Sequence, residues 1–370
     1  MEQAAAVVIA ADTLRGFVAD IFTAAGCARD EAERIGRYLL SANLAGHDSH
    51  GVIRVPRYVQ MLQDGRVRAG QRLTIVTETP THALVDGNQG FGQTVAPLAV
   101  DLGIAKAKQA GIAVIALRNA GHVGRVGDWG EQAAEAGLVS IHFVNVAGSV
   151  LVAPYGAAER RFSTNPICIC IPVEGGPPLL LDFATSMVAE GKVLVASNGG
   201  KKVPDGALIG PDGQLSSDPA MLYGPLGNTR VRDATKGPGS LRTFGEHKGS
   251  GLAFMCEILA GCLSGGGTAG PEPRHGIANG MLSIYLDPGS FAGAGFAQAT
   301  RDYVAWMKAA RPASPDGEVL VPGEPEMRMR EARLRDGIPL QAETWSNLLA
   351  TGEELGIARP EASIPHRDPR

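Results

Sequence analysis

The chain has 370 residues, with 34 Lys plus Arg against 38 Asp plus Glu, a net charge of −4, and 44% hydrophobic to 19% charged residues. Such a balance belongs to a soluble globular protein of two or three lobes and gives no electrostatic attraction to nucleic acid or to an anionic membrane. The apolar run at 137–153 carries polar residues and breaks at Pro154, short of the roughly 20 unbroken apolar residues of a spanning helix.

The acidic start MEQAAAVVIA lacks the basic segment of a signal peptide. Next, ADTLRGFVADIFTAAG predicts a helix capped by Asp12 or Thr13, with Leu14, Phe17, Val18 and Ile21 on one stripe and Gly26 as its stop. RDEAERIGRYLLSANLAG predicts a second, with acids in its first turn and Gly46 at its end. The polar stretch AGHDSHGVIRVPRY, residues 45–58, therefore lies in a loop able to present side chains. From about residue 82 the texture alternates. HALVDG, IAVIALRNAG, LVSIHFVNV, NPICICIPV and PLLLDFATS read as strands. TVAPLAVDLGIAKAKQAG and GDWGEQAAEAG read as helices closed by Gly111 and Gly137, so the class is α/β. A Gly-, Pro- and Asp-rich stretch at 199–240 precedes a helix opened by His247 and Lys248. The tail, 297–358, reads as mostly helical around a loop, VPGEPEMRMR, at 321–330. Cysteines 27, 168, 170, 256 and 262 lie in apolar contexts with no Cys-x-x-Cys, as expected of small hydrophobes in a reducing cytoplasm, and no metal site is assigned.

Histidine is scarce, 8 in the whole chain, yet His47 and His50 flank Asp48 and Ser49, and Arg54 follows. A metal nest would need a further ligand that no other spacing supplies. A serine hydrolase would need Ser49 on a Gly-x-Ser-x-Gly elbow, which is missing. A site that grips and protonates a small acid needs a guanidinium fork and an imidazole that titrates near neutrality. Arg54 supplies the first, and His50 or His122 the second. Alone, the motif reads first as a hydrogen-bonded loop of ordinary polar residues. A second feature is AGHVGRVGDWGEQAA, with Gly121, Gly124 and Gly127 at three-residue spacing before a helix. The Gly-x-Gly-x-x-Gly pattern is absent, but amides, helix start and Arg125 are elements of an anion cradle as well as of a plain turn.

The segments DSHGVIRVPRY, GHVGRVGDW, STNPICICIP, LDFATSMVAEGK, EHKGSGLAFMCEILAGCLSGG and VPGEPEMRMR…GIPL occur in this order. Together, over about residues 10–355, they resemble the malate/L-lactate dehydrogenase family, which also holds sulfolactate and ureidoglycolate dehydrogenases. The likeness is nearest to its hydroxycarboxylate dehydrogenase B type. The resemblance implies a non-Rossmann NAD(P)-binding α/β fold, with a helical lobe from both chain ends (1–80 plus 291–370) and a cofactor lobe (81–290). It implies a cytoplasmic homodimer that moves a hydride between NAD or NADP and a small 2-oxo or 2-hydroxy acid, with neither nucleic acid nor membrane as partner. His50 would be the acid/base with Ser49 beside it, Arg54 would hold the substrate carboxylate, and His122 would line the active site and nicotinamide. Gly124, Arg125 and Val126 would meet cofactor phosphates, and Thr164 and Asn165 would stand at the cofactor–substrate junction. Asp182, Phe183, Ala184, His247, Lys248, Gly323, Glu324 and Arg328 would complete the cofactor site. Where some members carry an Asp after ATS, this chain has Glu190 and Lys192, so the group that orients His50 is open. A cyclic imino acid reductase of the same family and a catalytically silent small-acid binding protein are the rival readings.

Overall fold

The computed structural model describes residues 7–225, 231–270, 278–293, 295–315 and 317–360. Strand β1 (Val7–Ile9) leads into helices α1 (Ala11–Ala24) and α2 (Arg29–Leu44), two single 3₁₀ turns (Asp48–His50 and Val52–Arg54) and α3 (Val55–Gln63). Then come β2 (Thr74–Glu78), β3 (His82–Asp86), α4 (Gly92–Ala110), β4 (Ile112–Ala120), α5 (Gly127–Glu135), β5 (Val139–Ala147), β6 (Ile167–Ile171), β7 (Leu179–Phe183) and α6 (Glu190–Asn198). The glycine-rich stretch holds β8 (Leu208–Ile209), β9 (Leu215–Ser216), α7 (Ala220–Tyr223) and β10 (Ser240–Leu241). The remainder is α8 (His247–Cys256) running into a π-helical turn (Glu257–Cys262), β11 (Ala278–Leu286), α9 (Gly295–Lys308), α10 (Glu324–Asp336), β12 (Ile338–Leu340) and α11 (Ala342–Glu354). No described helix is long and apolar enough to cross a membrane.

The main sheet has seven strands in the order β2-β3-β4-β11-β5-β6-β7. Only β3 and β4 pair parallel; the other neighbours are antiparallel. The central strand, β11, arrives late in the chain and pairs with β4 on one side and β5 on the other. Helices α4 and α5 cover the sheet through Val95, Val100, Ala107 and Trp129, which pack on Ile115, Leu117, Val144, Cys168, Cys170 and Tyr285. Gly103 makes this approach possible, since a Cβ there would lie 2.2 Å from the Tyr285 ring. A second core joins the chain ends: Leu14, Phe17, Ile21 and Phe22 of α1 meet Ile35 and Leu39 of α2, Val55 and Val59 of α3, and Ile338, Leu340 and Leu348. On α1, α2 and α3 these residues follow the helical spacing of an amphipathic stripe, and burying each large side chain contributes about 1.5–3 kcal/mol. A third cluster lies under the β8–β10 sheet, around Val152, Val193, Leu208, Leu222 and Leu241.

Two sequence expectations are corrected, and one strand is new. The first helix is capped by Ala10, with no side-chain bond, because β1 pairs with β12 and sets extended backbone up to Ile9; Asp12 lies in the first turn and pairs with Arg15 at 3.0 Å. The stretch 321–330 is a loop only to Gly323. That residue (φ 95°) turns the chain into α10, and Pro325 stands in the first turn, where no amide donor is needed. Strand β11 was not anticipated at all.

Candidate active site

The polar stretch 45–58 forms two 3₁₀ turns between α2 and α3, and its side chains diverge. His47 reaches Glu326 of α10 at 3.5 Å. Asp48 takes a two-pronged contact from Arg333 of α10, at 2.6 and 3.0 Å, and a bond from Asn43 at 2.6 Å. Asn43 Oδ1 also accepts the amide of Val52 at 2.9 Å, and a Cβ on Gly51 would lie 2.1 Å from that oxygen. Residues 47 and 48 thus fasten the turn to α10, which leaves Ser49, His50 and Arg54 for the interior of the site.

His50 and His122 lie with their rings nearly parallel, centroids 5.6 Å apart at 10°. Each spends Nδ1 on a hydroxyl: Ser49 Oγ lies 2.9 Å from that of His50, and Tyr58 Oη 2.5 Å from that of His122. Burial pushes the Tyr58 phenol up to about 12, so its proton stays in place, and Gln93 Nε2 donates to the phenol oxygen at 3.4 Å. Tyr58 therefore donates to His122 Nδ1, which leaves the neutral His122 ring with its proton on Nε2. Burial lowers both imidazoles, His122 to about 3 and His50 well below its ordinary value, and the Arg54 guanidinium repels a proton on either ring. Glu190 opposes this at His50 only.

Arg54, buried at the head of α3, donates from Nε to the carbonyl of Ser49 at 2.6 Å and from Nη2 to Glu190 Oε2 at 2.7 Å. Arg57 Nη1 stands 3.8 Å from Glu190 Oε1, to which Tyr223 of α7 donates its phenol proton. Helix α6 presses its first turn onto the motif: a Cβ on Gly191 would lie 2.6 Å from Arg54 Nη2. Sequence reasoning missed Arg57, Tyr58 and Tyr223. The first two lie at i+3 and i+4 from Arg54, a helical spacing legible in VIRVPRY; no local signal marks Tyr223. Of the two groups left open after ATS, Glu190 is buried in this network and Lys192 is exposed. The group on His50 Nδ1 is Ser49.

A second strip begins where β7 ends. The carbonyl of Thr164 accepts both the amide and hydroxyl of Thr185 at 3.0 Å, and Phe244 N donates to Thr185 O at 3.1 Å. Phe183 and Phe244 meet edge to face at 5.5 Å, and Ala184 lies beside them in sequence, half-buried. His247 and Lys248 are exposed in the first turn of α8, behind the left-handed Gly245 and Glu246 (φ 52° and 59°). A cation there opposes the helix dipole unless an anion offsets it, so this donor set fits the phosphates of a dinucleotide. The strip runs through Ser186 into α6 and so to Glu190.

Other expected cofactor residues have different employment. Arg125 is fully buried and pairs with Asp128 and Glu131, each at 2.9 Å. The amide of Gly127, first in α5, donates to Asp182 Oδ2 at 2.7 Å, so the anion at that helix start is a side chain. Gly124 (φ 75°) makes the turn, and Val126 is buried. Asn165 ties its turn to α8 and the π turn through Ala253 O at 3.1 Å and Glu257 Oε1 at 2.8 Å. Gly323 packs against the backbone of Pro178 and Leu180, Glu324 pairs with Lys308, and Arg328 makes a fork on Glu318 at 2.6 and 2.5 Å.

Residues 9–349 match the malate/L-lactate dehydrogenase family. The chain is 41% identical over 359 residues to hydroxycarboxylate dehydrogenase B of Escherichia coli K12, covering 96% of this chain and 95% of that one. It is 35% identical over 351 residues to a Δ1-pyrroline-2-carboxylate/Δ1-piperideine-2-carboxylate reductase of Pseudomonas putida, covering 93% and 95%. The structure of malate dehydrogenase from Pyrococcus horikoshii OT3 superposes with a TM-score of 0.82 at 28% identity, over 95% of this chain and 97% of that one. Fold, site and relatives define an oxidoreductase that acts on the CH–OH group of 2-hydroxyacids. The chain belongs to the malate/L-lactate dehydrogenase family.

Proposed function

We propose that the enzyme interconverts a small 2-oxo acid and its 2-hydroxy acid with NAD(H) or NADP(H), with His50 as acid/base. The observation that carries this reading is the pair of parallel imidazoles anchored at Nδ1 by Ser49 and Tyr58 and flanked by Arg54. Thr164, Phe183, Ala184, His247 and Lys248 would hold the cofactor, and when bound it supplies or accepts the hydride at C2. Arg54 and Arg57 attract the substrate carboxylate, Arg54 being held in place by the Ser49 carbonyl and Glu190. In reduction, His50 Nε2 gives a proton to the oxygen of the former carbonyl; in oxidation the neutral ring takes it back. His122, with its proton on Nε2 and Nδ1 held by Tyr58, donates a hydrogen bond and gives up no proton. Ser49 Oγ accepts from His50 Nδ1 when the ring is charged. Exposed Phe254 and Met255 at the end of α8, with Ile258 and Leu263 in and just after the π turn, offer apolar surface for a homodimer. With Cys27, Cys168, Cys170, Cys256 and Cys262 all free, a reducing cytoplasm suits the chain.

The test is a spectrophotometric screen of about a dozen 2-oxo acids with both cofactors, followed by His50→Gln and His122→Gln. The His50 variant should lose about 10²–10⁴ in kcat while its NADH affinity, read by fluorescence, holds; the His122 variant should lose about tenfold. The reverse pattern would move the proton to His122. The Pseudomonas putida relative makes Δ1-piperideine-2-carboxylate the substrate to include beside the keto acids. Preferred turnover of that imine would replace the keto-acid reading.

A further inference from the structure

Among the described residues, Glu190 is the carboxylate that pairs with the cationic wall of the site, and it divides itself between both arginines: Arg54 at 2.7 Å and Arg57 at 3.8 Å. It is held there on both oxygens, with Tyr223 donating to Oε1 and Arg54 to Oε2. Its side chain is 10% exposed, that of Arg54 9%, and that of Arg57 31%, so water screens the inner pair poorly and the outer arginine more fully. The two imidazoles are neutral in the empty site, and both phenols, Tyr58 and Tyr223, keep their protons. Asp233, the other acid that feels Arg57, is turned onto the amide and hydroxyl of Thr235 at 2.9 and 2.7 Å. Among the described residues that touch Glu190, two guanidinium groups and one carboxylate leave a single positive charge; the next cation, Arg232, lies behind the Tyr223 ring at 5.1 Å and donates to the carbonyls of Gly224 and Pro225, each at 3.1 Å.

A monoanionic acceptor brings that charge to zero. A second carboxylate on the acceptor meets a cation already spent on Glu190 and lies beside a fixed negative charge in a poorly screened site, where repulsion over several ångströms is large. The same charge that positions Arg54 therefore acts as a repulsive element against dianions. We propose that Glu190 selects monoanionic 2-oxo acids over dianionic ones by neutralising one of the two arginines. This rests on the 2-oxo acid reading above and names its substrate class.

The test compares two flat anions of nearly equal shape, oxamate (one negative charge) and oxalate (two), binding to the NADH-loaded enzyme by calorimetry. Alongside it, kcat/KM is measured for pyruvate and oxaloacetate. The wild type should favour oxamate and pyruvate by at least about tenfold. Glu190→Gln keeps the shape and one acceptor oxygen; it should move both ratios toward the dianion by about 10–100-fold, mainly through KM for oxaloacetate. Arg57→Gln should move the same ratios about tenfold the other way, so the idea survives should Glu190→Gln fail to fold. General damage to the site lowers both members of each pair and leaves their ratio alone. A wild type that binds both anions equally, or a folded Glu190→Gln with ratios within twofold of wild type, overturns the inference while keeping the 2-oxo acid reading. Binding of neither anion, with no turnover of either acid, overturns both.

Discussion

His50 carries its proton reluctantly in the empty site. Burial, the neighbouring His122 and the Arg54 guanidinium each lower it, and Glu190 restores only part. An imidazole of ordinary basicity would put the reductive limb of a pH profile near 6.5; here the free enzyme should show it lower. A bound substrate carboxylate adds negative charge and raises the same group. Because kcat/KM reports the free enzyme and kcat the complex, the falling limb of reduction should lie below pH 6.5 in kcat/KM and at higher pH in kcat. Oxidation uses the neutral ring and should already be near its plateau at pH 7. Coincident limbs in kcat and kcat/KM, both at or above pH 7, would contradict the buried, cation-flanked His50. The imidazole and the guanidinium of this chemistry were legible as residue types in HDSHGVIR. That Tyr58 pairs with His122 and Glu190 with Arg54 was not, because hydrogen-bond pairing across 64 or more positions leaves no mark on local spacing.

Helix α5 carries the features of a phosphate cradle and, in this structure, protein partners for each of them. Glycines at three-residue spacing, a helix start and an arginine are present, but Asp182 from β7 occupies the first amide and Asp128 and Glu131 close on Arg125. Asp182→Ala should therefore cost stability as the loss of a cap does, about 0.5–2 kcal/mol in denaturant unfolding, with NADH affinity nearly unchanged. A tenfold weaker NADH affinity with unaltered stability would return Asp182 to the cofactor. Helices with a clean stripe, α1 and α2, and strands with Val, Ile and Leu runs, β4 and β5, were readable because one face or both are buried. β11 was missed although it is the central strand: ANGMLSIYL has a glycine, a serine and an asparagine where strands carry branched residues. Its Asn279 serves the site side of the sheet by accepting the amide of Val123 at 2.9 Å, next to His122. α10 was hidden for a different reason, since Gly-Glu-Pro reads as a turn and is also how this helix starts.

At the scale of the molecule, three of the described histidines make the fold sensitive to acid, His142 buried in the sheet and His50 and His122 half-buried in the site. His142 sits inside the sheet between Ser140 and Ser283, at 3.0 and 2.8 Å, and burial lowers it to about 3, like His122, while His50 is lowered as well. Their folded values lie below the unfolded one, near 6.5, so above that pH they add no pH dependence. As pH falls below it, the unfolded chain takes up protons that the native one refuses, and stability drops by about 1.4 kcal/mol per pH unit for each histidine. Glu190, held at about 2, acts with the same sign between its unfolded value of 4.5 and that figure. Urea midpoints should therefore be level from pH 8 to 7 and fall steeply from 6 to 4.5; a level curve to pH 5 would refute three rings held neutral by the fold. The late arrival of β11 bears on how the molecule is made. On the ribosome β4 and β5 are finished by residue 147, yet the strand that joins them ends at residue 286. At about 5–20 residues per second, the nascent chain spends roughly 7–28 s with two apolar strands lacking their shared neighbour. For that interval the half-made sheet offers two open edges on which a passing chain can pair, until β11 fills the gap between them.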